Sequence, residues 1–117
     1  MFLVKEITNE GKQKHTLLLK DGSQVALTLE YKPQQLGWFI TNLVRNDLIL
    51  NNIRIVTSPN LLHQFLNQTD FGIACFTTDN EEPTLLEDFQ SGRAKMYILS
   101  KEEVAEYERI LDGQATA

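Results

Sequence analysis

The clearest signal in the chain is the alternation of residues 24–31, where Val25, Leu27, Leu29 and Tyr31 fall on one side and Ala26, Thr28 and Glu30 on the other. Period-two patterning of this kind predicts a half-buried strand. Asp21-Gly22 just before it suits a tight turn, so a strand over 15–19 is expected to precede it in a hairpin. Pro33 has no amide to give to a ladder, and Lys32-Pro33-Gln34-Gln35 is expected to leave the sheet. Alternation resumes over 38–44, predicting a strand with Trp38, Ile40 and Val44 on one face and Asn42 as that face's polar exception. Arg45-Asn46-Asp47 supplies a turn, and 48–50 and 53–56 continue as strand, with Asn51-Asn52 a bulge or second bend. A loosely alternating strand over 2–7 opens the chain and ends in turn chemistry at 8–12, while 72–77 and 95–99 read as two later strands.

Two segments change period. Ser58 is placed to cap a short helix near 60–66, with Pro59 at its first position, where the missing donor has no helical partner to lose. Its Leu61, Leu62, Phe65 and Leu66 share a face and leave His63 and Gln64 outward. Ser100-Lys101-Glu102-Glu103 has the spacing of a capping box, predicting a C-terminal helix near 101–112. Val104, Tyr107, Ile110 and Leu111 form its apolar stripe, Glu102, Glu106 and Arg109 its wet side, and Gly113 its stop. The acidic stretch 79–90 joins the last two strands, with a turn of helix at Leu85-Leu86. Together these elements predict a mainly β fold, either a small antiparallel β-sandwich or a partly open β-barrel.

Composition narrows this picture. A chain of 117 residues suits one domain, 1–117, and 42% hydrophobic with 23% charged residues is ordinary for a folded globular protein. Its longest apolar runs fall far short of the roughly 20 residues that cross a bilayer, so no transmembrane helix is expected. Met1-Phe2-Leu3-Val4 is too short for a signal peptide, and synthesis in a cytoplasm is expected. The net charge of -5 is uneven: residues 1–78 hold seven Lys or Arg against six acids, and 79–117 hold four against ten, or +1 and -6. An acidic chain whose Lys12, Lys14, Lys20, Lys32, Arg45 and Arg54 are spread along several elements offers no basic stripe for a polyanion, so nucleic acid is not the expected partner. A small barrel binding nucleic acid, or another interaction module, is the alternative reading.

Catalytic chemistry is thin. The glycines are dispersed and write no phosphate-cradling loop, and His15, His63 and Cys75 lack the spacing of a metal site. Neither cofactor, metal nor catalytic residues are expected, and the chain does not read as an enzyme. Glu81-Glu82 and Glu87-Asp88 are paired acids, but acids on a loop read as solvating charge. The sequon at Asn67-Gln68-Thr69 has no consequence without secretion. Cys75 sits in an alternating run and reads as a small hydrophobe. Trp38 is either a core residue or an interface anchor, since aromatics concentrate at hot spots.

The order of features resembles the baseplate plug family of contractile-tailed phages, a cyanophage type among them. The resemblance is carried by the extended strand Gln24-Val25-Ala26-Leu27-Thr28-Leu29-Glu30-Tyr31, then Gly37-Trp38-Phe39-Ile40, then Ile53-Arg54-Ile55-Val56. Leu61-Leu62, Gly72-Ile73 and Met96-Tyr97-Ile98-Leu99 with the acids to Glu103 complete it, over about residues 20–103. The turn at 45–47 lacks a glycine often expected there, and the C-terminal helix is longer than the pattern needs. The resemblance implies a structural protein of the virion, made in the host cytoplasm and built in several symmetric copies near the tail axis. Its implied neighbours are hub, spike, tube or wedge proteins, with no membrane contact. Trp38, Phe39, Leu43, Glu102, Glu103 and Glu106 are the candidate contact residues, and the acidic C-terminal third is expected to meet a basic surface.

Overall fold

The computed structural model describes residues 2–19, 22–65 and 68–115, with helix side chains described as far as Arg109. Seven strands and a helix follow one another as β1 (Phe2–Leu3), β2 (Lys12–Leu18), β3 (Gln24–Lys32), β4 (Gly37–Arg45), β5 (Leu48–Arg54), β6 (Gly72–Thr77), β7 (Ala94–Leu99) and α1 (Lys101–Ala115). They form two antiparallel sheets, ordered β2-β3-β4-β5 and β1-β7-β6, rather than a closed barrel. The sandwich is therefore the form the β-rich sequence takes. Val25, Leu27 and Leu29 of the larger sheet meet Ile73, Cys75, Met96 and Ile98 of the smaller in one core. Layering of this kind follows from strands that are apolar on one face only.

The larger sheet is a meander whose turns the sequence anticipates. Leu19 and Ser23 close the β2–β3 hairpin, with the Gly22 amide donating to the Leu19 carbonyl at 2.9 Å; Asp21 lies outside the described residues. Pro33–Gln35 leaves the ladder as a 3-10 turn. Asn46, at φ 53, takes the left-handed conformation in the β4–β5 turn that asparagine tolerates.

A bulge in β4 corrects the face assigned to this strand. Pairing with β3 shifts between Leu29↔Ile40 and Thr28↔Asn42, so Thr41 is the extra residue. Trp38 and Ile40 point into the core, but beyond the bulge it is Leu43 and Arg45 that do so, while Asn42 and Val44 turn outward. Asn42 is thus no exception on a buried face; its amide donates to Asn51 on β5 at 3.2 Å. The expected irregularity in β5 falls at Asn52, whose φ is 54, opposite the bulge, within one continuous strand.

The smaller sheet joins the two ends of the chain. β1 is shorter than expected, pairing Phe2↔Ile98 and Leu3↔Tyr97, and the extended run stops where Glu6 turns to φ 65. Ser58 pairs its backbone with Cys75 instead of capping a helix. Its hydroxyl accepts from the Asn60 amide, and Asn60 Oδ1 in turn accepts from Leu62 and Ile73. The expected helix is replaced by a 3-10 turn at His63–Phe65, with Leu61 and Leu62 buried and His63 and Gln64 exposed. Leu66 and Asn67 lie outside the described residues. Leu85-Leu86 begins a run of turns, not a helix.

At α1 the capping box forms as anticipated: the Ser100 amide donates to Glu103 at 3.0 Å and the Glu103 amide to Ser100 Oγ at 3.2 Å. Gly113 does not stop the helix, which runs on to Ala115. Val104 packs on Ala74 and Leu99 of the smaller sheet's outer face. Gly72 permits this approach, because a Cβ there would stand 2.7 Å from the Val104 side chain. The Ile110 and Leu111 side chains of the stripe lie outside those described. Ser100→Ala is expected to cost about 1 kcal/mol, the usual worth of a cap, read as a shift in thermal or denaturant unfolding.

Candidate interaction surface

The six residues singled out from the sequence separate into inside and outside. Trp38 and Leu43 are 0% exposed and present no surface in this fold. Trp38 stacks edge-on to Tyr31 at 5.6 Å and Phe89 at 5.7 Å, and its indole donates to the Leu85 carbonyl. Simple alternation puts Leu43 on the surface because it ignores the bulge at Thr41. Phe39 lies on the outer face of the larger sheet beneath two cations, with Lys32 Nζ 4.7 Å and the Arg54 guanidinium 5.3 Å from its ring centre. Glu102 and Glu106 are exposed and Glu103 is partly so.

The structure brings together charges that are scattered along the chain. Register places Lys12, Glu30, Phe39 and Arg54 in one row across the larger sheet, with Lys14 and Lys32 beside it. This outer face is basic. Arg45 is not part of it, since it turns inward and pairs with Asp70 at 2.8 Å, and Lys20 lies outside the described residues.

At the edge of this basic face stands a feature that the sequence pattern does not reveal. Leu36 is 60% exposed, and its φ of 48 and ψ of 56 put it in the left-handed region, unfavourable for an aliphatic residue. Arg54 fastens the turn by donating to the Gln35 and Leu36 carbonyls at 3.1 and 3.2 Å. A Cβ on Gly37 would stand 2.8 Å from that guanidinium, so glycine is what lets Arg54 lie there. The one sequence signal is a lone leucine between two glutamines and a glycine, in a segment otherwise polar.

The opposite layer carries a groove. Ala74, Phe76 and Leu99 on the outer face of the smaller sheet, with Tyr107 of α1, line a depression of about 450 Å³. Glu102, Glu103 and Glu106 border it, and Phe76, 41% exposed, leans on Tyr97 at 6.1 Å between centres. Exposed aromatic surface rimmed by charge is what contact sites look like.

One acid of each pair has structural work. Glu82 accepts from the Thr57 amide and hydroxyl, and buried Asp88 accepts from the Leu85 amide and from Arg93, each at 2.8 Å. His63 reaches Glu108 at 2.6 Å and His15 reaches Gln13 at 2.7 Å. Among the described residues no group of three His, Cys, Asp or Glu is arranged to hold a metal, and no helix is long and apolar enough to cross a membrane. Cys75 is enclosed, and burial, with the nearby Glu82 charge, pushes its thiol up to about 12. Native protein is expected to leave Cys75 unreacted with a thiol reagent at neutral pH and to react fully in denaturant, because the thiolate is the nucleophile. Rapid labelling of the native chain would contradict that burial.

The described residues form a two-sheet sandwich that carries a pinned hydrophobic turn, a basic face and an acid-rimmed apolar groove on its surface. Residues 4–102 match the cyanophage baseplate Pam3 plug gp18 family, and the chain belongs to it. Membership places the chain among the structural proteins of the phage tail baseplate, in the virion. The match reaches the second residue of α1, so Glu103, Glu106 and Tyr107 lie past it. No curated protein matches the chain.

Proposed function

We propose that this chain is a non-enzymatic plug or connector near the tail axis, where hub, spike and tube proteins meet, and that it acts as one domain over residues 1–117. The family match over residues 4–102 carries this reading. The surface supports it: rigid contact features on two opposite layers suit a piece held between neighbours better than a cleft would. It is present in several symmetric copies, is made in the host cytoplasm, and binds neither nucleic acid nor membrane. Its acidic α1 face, with Glu102, Glu103 and Glu106, meets basic surface in the assembly. Cryo-electron microscopy of intact tails tests the placement: density for this sandwich on the axis at the hub supports it, and density confined to the peripheral wedges overturns it.

A further inference from the structure

We infer that the acid-rimmed groove on the smaller sheet receives the Leu36 turn of a second copy of this chain, joining copies head to tail. The inference rests on the reading that several copies meet in the assembly, and it specifies which surfaces touch.

The groove defines its own occupant. Its Ala74, Phe76 and Leu99 floor calls for an apolar knob, and on its border the exposed Glu102, with Glu106 that also pairs with Arg109, calls for cations around that knob, while Glu103 is engaged in the capping box. The chain displays such a knob. Leu36 stands 60% exposed on a turn whose neighbours in space are Lys32 and Arg54, both lying over Phe39. Burying Leu36 removes exposed apolar surface, and setting the two cations against the glutamates aligns opposite charges that orient the encounter.

Two further observations favour a copy of the chain as the occupant. The turn is already fixed, by Arg54 donating to two of its carbonyls, so docking costs it little freedom. The groove opens on the outer face of the smaller sheet, whereas the turn belongs to the larger sheet, so a molecule cannot fill its own groove. With knob and groove on opposite layers, a pair of copies does not make both contacts at once, so the contact is heterologous, the kind that closes into a ring or grows as a filament. Groove against groove or basic face against basic face would set like charges together, which leaves head-to-tail as the favoured arrangement.

Two variants test this. Leu36→Asp removes the knob, adds a charge that the glutamates repel, and suits the left-handed backbone better than leucine. Phe76→Lys with Glu106→Lys spoils the groove at exposed positions. Circular dichroism first establishes that both remain folded. Sedimentation velocity of the full chain at low salt, up to about 1 mM because small contacts are weak, is expected to show association that each variant weakens by about tenfold or more. An equal mixture of the two variants, in which one supplies only the groove and the other only the knob, is expected to recover association and stop at the dimer. Added salt should weaken it. A wild-type chain that stays monomeric throughout, association that neither variant changes, or a mixture that fails to pair overturns the head-to-tail contact. Each of those results leaves the axial placement to be decided on intact tails.

Discussion

Trp38→Ala is expected to lower stability by about 3–5 kcal/mol, the range for truncating a large buried aromatic. Against a total of about 5–15 kcal/mol for a domain, that is enough to leave the protein marginal at growth temperature. The size reflects the contacts that Trp38 joins. Its ring lies against Tyr31 and Phe89, and its indole donates to Leu85, while the Tyr31 hydroxyl donates to the adjacent Thr84 carbonyl at 2.6 Å. Truncation therefore opens a cavity in the core and also removes one of the two hydrogen bonds that tie residues 84 and 85 to the larger sheet. Trp38→Phe keeps much of the volume and is expected to lose about 1–2 kcal/mol, chiefly the hydrogen bond and imperfect packing. A thermal midpoint lowered by about 10 °C or more for Trp38→Ala, with earlier proteolysis near Leu85, would establish the double role. A shift within the range of surface substitutions, about 0.5 kcal/mol, would refute it.

The same residue shows which parts of this molecule are legible in its sequence. Strand β3 is readable because one of its faces is wetter than the other, so burial alternates from Gln24 to Leu29 with the hydrophobic pattern. Strand β4 begins just as clearly, yet one bulged residue at Thr41 exchanges Leu43 for Val44 in the core. Alternation contains no record of such an insertion, because the bulge is a property of the pairing with β3. The capping box at Ser100 and Glu103 is local chemistry and therefore visible. The Ser58–Cys75 bridge and the pairing of β1 with β7 are not, since they join segments far apart in the chain.

The candidate surface divides in the same way. Glu102 and Glu106 are found from helical spacing and Glu103 from the capping box, but only the fold sets them beside Phe76 and Ala74. The basic face is invisible in a linear charge count, because it arises when register gathers Lys12, Arg54 and their neighbours from separate strands. Leu36 is illegible because a single apolar residue in a turn has no period, and its meaning lies in the Arg54 clamp behind it.

Arg93 is the second residue whose removal should be severe, and a run of loop acids hides its importance. Arg93→Met is expected to lower the unfolding midpoint well beyond what a surface substitution does, since it leaves the enclosed Asp88 carboxylate without its cation. Asp88 is 2% exposed at its side chain and holds Arg93 at 2.8 Å, and Arg93 also donates to Asp79 and to the Glu81 and Glu82 carbonyls. One guanidinium thus organises the connection between β6 and β7, which has no regular structure of its own. Adding Asp88→Asn to Arg93→Met removes the stranded charge and should restore part of the loss, so the two changes are expected to be non-additive in a double-mutant cycle. Acid supplies an independent check. The Glu81 amide holds the Asp79 carboxyl below its ordinary value, against the opposing effect of burial, and Arg93 adds to the lowering through its hydrogen bond and charge. A depressed value stabilises the fold above the unfolded-state value near 3.8 and is lost as pH falls through the folded one. The gap between wild type and Arg93→Met should therefore narrow as pH drops below 3.8. A gap that stays constant into that range would show that Arg93 acts through its carbonyl contacts and packing, and not through the carboxylates it joins.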